Sequence, residues 1–202
     1  MENFMIETGK QYTYDDYLKL DDDNRYELIE GELFLVPSPN FQHQRITGTI
    51  FQILAGYIDM NNKGVVIVAP FDVVLDEPSN NNTFQPDILF VSKERFNIIE
   101  DQRINGAPDL VIEVLSPSTS KRDRGKKSKR YFNSGVKEYW LVDPTDQLIE
   151  VFIPGEKDWN RAGVYDEEDI LTSPLLPGLQ IKLKDIFIKG VLHGDIRSLH
   201  KS

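Results

Sequence analysis

Two acidic residues stand where an apolar strand should exclude them. In Asp109-Leu-Val-Ile-Glu-Val-Leu115 five of seven positions are apolar, yet Glu113 sits near the middle, where an uncompensated carboxylate is costly to desolvate. Side chains alternate along a strand, so Asp109, Val111, Glu113 and Leu115 share one face while Leu110, Ile112 and Val114 point to the other. Asp87 opens a second such run, Asp-Ile-Leu-Phe-Val, directly after Pro86. If these strands are neighbours the two carboxylates converge, and they then need a shared proton or a cation. With no cysteine and only three histidines in the chain, a hard divalent ion held by oxygen, Mg2+ or Mn2+, fits the pair best. Such an ion acidifies water and neutralises charge on a phosphoryl oxygen, the two requirements of phosphodiester hydrolysis. Lys127 supplies a third element. Asp123, Lys127 and Tyr131 recur at intervals of four on one helical stripe, and an ammonium leaning over the sheet would orient the attacking water or stabilise the pentavalent oxygens.

Each residue also has a plainer explanation. Asp87 could end its strand and do nothing more, and Glu113 could pair with a buried Lys or Arg, because ion-pair networks also bury acids. Lys127 is one of seven cations between Lys121 and Arg130, and a solvated helix face is the commoner use of such a run. His43, on the first turn of a long helix, is more often a cap or surface residue than a ligand. Glu30, at a hairpin turn, is more often turn chemistry than a further site acid.

The elements that must position these residues can be read in order. Thr13 and Asp16 resemble a capping box opening a short helix that ends in the acidic turn Asp21 to Asn24. Arg25 to Val36 reads as two strands joined by a tight turn at Glu30-Gly31. Ile46, Ile50, Ile53, Leu54, Tyr57 and Ile58 mark one face of a long helix, stopped by Asn61 to Gly64. Val65 to Leu75 is a β-branched strand bent at Pro70 and followed by a loop at Pro78 to Asn82. Pro86 to Val91 and Asp109 to Leu115 are further strands. Ser118, Thr119 and Ser120 cap a helix from about Lys121 to Asn133, closed by Gly135. Strands follow at Glu138 to Val142, Leu148 to Ile153, around Val164 and at Leu179 to Leu183, while the tail after Gly190 is weakly specified. Short apolar strands interleaved with helices predict an α/β fold, a sheet covered by helices.

A chain of 202 residues with 40% hydrophobic residues suffices for one sizeable core, so a single domain is expected. The absence of cysteine excludes disulfides and thiolate metal sites. The first residues lack the basic start and apolar core of a signal peptide, and no apolar run reaches membrane-spanning length, so a cytoplasmic protein is expected. The net charge of -10 opposes a surface coated for nucleic-acid binding. Setting aside the seven cations of Lys121 to Arg130 and their neighbour Asp123 leaves 16 basic against 32 acidic residues. That distribution suggests one local anion contact on an acidic body.

Together, Tyr26-Glu-Leu-Ile-Glu-Gly-Glu-Leu33, Pro39 to His43, Gln85-Pro-Asp-Ile88, Pro108 through Thr119, then Asp123, Lys127, Tyr131 and Gly135-Val-Lys-Glu-Tyr-Trp-Leu-Val-Asp-Pro144 resemble the Uma-two family of restriction-endonuclease-like proteins, within the PD-(D/E)XK nuclease superfamily. The resemblance covers roughly Tyr12 to Leu183. It implies a four-stranded mixed sheet flanked by helices, with an extra N-terminal helix and hairpin. Asp87 matches the metal-binding aspartate, Glu113 the acid of the acid-x-lysine element, and the carbonyl of Val114 joins the metal shell. Leu115 stands where that element would place its lysine, and Lys127 on the following helix is the matching residue. Glu30 carries over as an additional site acid, and His43 as a family feature without an assigned role. The expected activity is a Mg2+-dependent endonuclease acting on nucleic acid, DNA first, gripped through the Lys121 to Arg130 helix. Competing expectations are a non-catalytic binding or regulatory protein on the same fold and a hydrolase of another phosphate ester. A homodimer is expected from the need to cut two strands, with Tyr139, Trp140 or the outer hairpin as its surface.

Overall fold

A computed structural model describes residues 9–75 and 81–187. The elements run α1 (Tyr14–Tyr17), β1 (Arg25–Ile29), β2 (Glu32–Val36), α2 (Phe41–Met60), β3 (Gly64–Val68), β4 (Asp72–Leu75), β5 (Asn82–Phe84), β6 (Ile88–Ser92), β7 (Arg103–Asn105) and β8 (Leu110–Val114). They continue with α3 (Ser120–Arg122), a π turn (Asp123–Lys127), α4 (Ser128–Ser134), β9 (Glu138–Asp143), β10 (Leu148–Pro154), β11 (Trp159–Tyr165), β12 (Ile170–Thr172), β13 (Gln180–Lys182) and α5 (Leu183–Ile186). Among the described residues no helix is long and apolar enough to cross a membrane.

The α/β class holds, on a larger frame than four strands. One mixed sheet has the order β11-β10-β9-β8-β6-β3, and a second has β2-β1-β5-β4-β7. In the first sheet β8 and β9 are the parallel pair. Parallel neighbours require a crossover, and the crossover here carries the basic helical segment. Alternation along the strands divides the core in two. Ile88, Phe90, Leu110, Ile112 and Val114 pack with Ile46, Ile50, Leu54 and Ile58 of α2. Leu89, Val91, Val111 and Leu115 pack with Val73, Leu75, Phe84 and Ile104 of the second sheet, and with Tyr131 of α4. Glu113 therefore faces the crossover helix and the second sheet.

Local chemistry accounts for the boundaries. Thr13 and Asp16 form the reciprocal capping box at α1. Asn40 caps α2 through a bond from the His43 amide at 2.8 Å. Glu30 and Gly31 both have positive φ, 54° and 78°, as a tight hairpin matched to strand twist requires. Gly135, at φ 89°, ends α4 in the left-handed region.

Three expectations are corrected. Val65 to Leu75 is not one bent strand: β3 pairs with β6 in the first sheet and β4 with β5 and β7 in the second. Pro70 has no N–H for a ladder, and the chain changes sheet there. The helix from Lys121 is interrupted by the π turn. Tyr139 and Trp140 do not offer a dimer surface, because both are fully buried in β9. The loop at Pro78 to Asn82 lies mostly outside the described residues, and the tail after Gly190 wholly so.

Two other buried acids serve the frame. Asp109 accepts from the Ser92 amide at 2.8 Å and pairs with Arg95 at 3.2 Å and Lys137 at 2.7 Å. Although burial opposes it, these partners hold its carboxyl below the ordinary aspartate range. Glu138 accepts from the Trp140 indole, the Ser173 hydroxyl and the Leu175 amide at 2.7, 2.7 and 2.8 Å, tying β9 to the segment after β12.

Candidate active site

The register of β6 on β8 matches Ile88 with Ile112, so one further step places Asp87 beside Glu113 on the same face. The Val114 amide donates to Asp87 Oδ2 at 2.8 Å, which fixes the aspartate against the end of β8. Nε2 of His43 lies 3.2 Å from the same oxygen. Burial lowers the basicity of this imidazole, but the hydrogen bond and charge of Asp87 and the Val114 backbone outweigh it and leave its pKa raised.

Glu113 is 4% exposed and Lys127 3%. The Lys127 ammonium sits 2.6 Å from Glu113 Oε1, 2.9 Å from Glu27 Oε1 and 3.3 Å from Asp123 Oδ1. The Tyr131 hydroxyl donates to Glu113 Oε1 at 2.8 Å. Burial alone would depress the ammonium, yet Glu113 and Glu27 keep it well above the ordinary lysine range. It is a fixed positive charge at neutral pH. Burial pushes Glu113 well upward, and repulsion from Asp123, Asp87 and Glu27 adds to what Lys127 cannot offset. Asp123 is raised as well, again chiefly by burial.

A π turn spans Asp123 to Lys127, both of them buried, and the Asp123 carbonyl accepts from the buried Tyr139 hydroxyl at 3.0 Å. Such turns recur at functional positions in helices.

All these acids line a single cavity of about 390 Å³, together with His43 and Arg25. Four carboxylates, Glu27, Asp87, Glu113 and Asp123, there face two permanent cations, Lys127 and Arg25. Burial biases Glu113 and Asp123 toward the protonated form, and a divalent ion between the acids would favour their ionised form. Among the described residues no hydrogen-bond donor reaches Asp87 Oδ1 or Glu113 Oε2. No group of three metal-ligating side chains closes on one point among the described residues either. The donor set is thus two carboxylates with a free oxygen each, which suits Mg2+, an ion that keeps several waters and takes one or two carboxylates plus substrate oxygens.

The sequence profile described as "Putative restriction endonuclease" and named Uma2 matches residues 14–184. The chain belongs to the Uma2 family. Two relatives are uncharacterized proteins of Synechocystis: sll1609 is 24% identical over 159 residues, covering 77% of this chain and 88% of the relative. The other, slr1290, is 25% identical over 149 residues, covering 72% and 76%. A crystal structure of "a putative nuclease belonging to DUF820" from Anabaena variabilis superposes with a TM-score of 0.71 at 24% identity, covering 87% of this chain and 97% of that one. The superposition shows a common fold.

In this Uma2 protein the structure brings Asp87, Glu113, Val114 and Lys127 together and leaves Glu30 apart. Glu30 is at the hairpin tip, bonded to Arg130 at 2.7 Å and 3.5 Å from Lys126. The acid that enters from β1 is Glu27, three residues earlier. It carries the same sequence signal as Glu113, since it too interrupts an apolar strand, Tyr26-Glu-Leu-Ile29. The basic helix is less available than its composition implies. Arg124 pairs with Asp143 and Glu150, Lys126 with Glu30 and Glu32, Arg130 with Glu30, and Lys127 is buried.

Proposed function

We propose that this protein is a metal-dependent endonuclease that hydrolyses nucleic-acid phosphodiesters, DNA first, with Mg2+ held by Asp87, Glu113 and the Val114 carbonyl. The observation that carries the reading is the convergence of Asp87, just before β6, and Glu113 of β8 in one cavity, each keeping one oxygen free of donors among the described residues. A bound divalent ion supplies positive charge that acidifies water and neutralises a phosphoryl oxygen. Lys127 does not act as a base, because its neighbours hold it protonated. It orients water and opposes charge developing on the phosphoryl oxygens. Glu27, Asp123 and Tyr131 act through Lys127 and Glu113, fixing where the ammonium and the carboxylate point. The nucleic acid meets the cavity mouth rather than a free basic helix, whose cations are largely paired within the chain.

Incubation of purified protein with plasmid and oligonucleotides tests the reading. Cleavage in Mg2+ or Mn2+ that EDTA abolishes is expected. A protein that binds DNA but leaves it intact under all these conditions would favour the non-catalytic alternative.

The two glutamates of the first hairpin should separate cleanly. Glu27→Gln is expected to lower cleavage by about 10- to 100-fold, the usual effect of removing a group that orients a site residue. Glu30→Gln should stay within about 2-fold, since its ion pairs are at the surface. Steady-state cleavage of one oligonucleotide by both variants gives the comparison, and equal losses would return Glu30 to the site.

A further inference from the structure

Arg25 differs from the other cations around the cavity. Lys127 is enclosed by three carboxylates, whereas Arg25 makes no ion pair among the described residues. Its Nε and Nη2 both donate to Oε1 of Gln85, at 3.0 and 2.8 Å. A neutral amide oxygen aims a guanidinium without cancelling its charge, and Nη1 keeps its donors for another acceptor.

Gln85 is itself braced. Its amide nitrogen donates to Asp72 Oδ1 at 2.9 Å and to the Tyr17 hydroxyl at 3.1 Å, and that hydroxyl donates on to Asp72 at 3.0 Å. A flipped amide would turn its NH2 against the guanidinium, so these partners settle the orientation. Burial raises both Asp72 and the Tyr17 hydroxyl. The Gln85 backbone amide also donates to Glu27 Oε1 at 3.1 Å, which links this brace to the Lys127 cluster.

The placement has a regular offset. Arg25 precedes Glu27 by two residues and Gln85 precedes Asp87 by two; within β1 that offset places Arg25 about 7 Å along the strand from Glu27. That is the order of the separation between consecutive phosphates of a nucleic-acid strand.

We propose that Arg25, braced by Gln85, is a second anion subsite that binds the phosphodiester adjoining the one cleaved. This deepens the nuclease reading and rests on it. Two positions of the Gln85-Pro-Asp-Ile88 motif then have separate roles. Asp87 faces the ion, and Gln85 aims the cation that registers the strand.

The test replaces single phosphodiesters of an oligonucleotide, one position at a time, by neutral methylphosphonates. With wild-type protein, a neutral linkage next to the cut should slow cleavage by about 10- to 100-fold, the loss of one charge-assisted contact. Arg25→Gln should be slow on the unmodified strand and indifferent to that linkage, whereas Arg25→Lys should retain part of the sensitivity. Wild-type protein indifferent to neutral linkages beside the cut would overturn the subsite without recourse to any variant. Binding measured by fluorescence anisotropy in EDTA separates the two claims. Arg25→Gln should weaken binding and reduce the salt slope by about 1; unchanged affinity and slope would overturn the subsite. Loss of binding in a protein that never cleaves would keep the subsite and sink the nuclease reading.

Discussion

Asp87→Asn is expected to lower Mg2+-dependent cleavage by about 1,000-fold or more while leaving the fold intact. The substitution preserves shape and an oxygen for the Val114 amide, which holds Asp87 at 2.8 Å. It removes one of the four carboxyl groups that line the cavity, and with it one of the two that have a free oxygen. Loss of an ion that provides several kcal/mol of transition-state stabilisation corresponds to roughly three powers of ten or more in rate. The side chain is only partly enclosed, so thermal stability should change little. Single-turnover cleavage across a Mg2+ titration is the measurement. Activity within about 10-fold of wild type at saturating Mg2+ would remove Asp87 from the site.

Lys127→Met should act on stability as strongly as on rate. The ammonium is the shared partner of Glu27, Glu113 and Asp123, at 2.9, 2.6 and 3.3 Å. Its removal leaves three carboxylates enclosed without their cation, a class of change that costs about 3–5 kcal/mol. The sign of the pH dependence follows from the same geometry. An acid whose folded pKa lies above its unfolded value favours folding less as pH rises through that interval. Glu113 and Asp123 are already raised in the wild type, chiefly by burial, and lose their opposing cation in the variant. The deficit should therefore be full at neutral pH and shrink as pH falls toward the ordinary carboxylate range, about 4 to 5. Lys127 itself, with its pKa raised, contributes fully below the ordinary lysine value and loses that contribution only as pH rises through its folded value. Urea titrations at neutral and mildly acid pH check the prediction. A variant as stable as wild type at neutral pH would show that the acids share no charge with Lys127.

Much of this arrangement is legible in the sequence because period and chemistry agree. The hairpin follows from Glu30-Gly31, a two-residue turn between two apolar runs, and Gly135 marks a helix end that needs positive φ. Glu113 is legible because a carboxylate amid Val, Ile and Leu has few physical explanations. Glu27 carries that same signal one hairpin earlier. The remainder depends on distant partners. Pro70 marks a break in Val65 to Leu75 but does not say that the halves belong to different sheets, since both are β-branched and the division is made by β6 on one side and β5 and β7 on the other. The three-residue strands β5 and β7 are too short to carry a period. The π turn lies in a segment whose charges suggest a solvated helix, and burial of Lys127 is decided by acids from β1 and β8, 100 and 14 positions before it. Tyr139 and Trp140 resemble surface candidates in the sequence because a strand buried on both faces has no polar side to reveal its direction.

The capacity of Asp87 and Glu113 to hold a divalent ion can be tested without reference to any substrate. Crystals grown with Mn2+ and measured at a wavelength where manganese scatters anomalously should contain an ion in contact with the carboxylates of both Asp87 and Glu113. Saturating Mn2+ with no anomalous peak beside these two residues, in crystals whose cavity is open to solvent, would contradict the account.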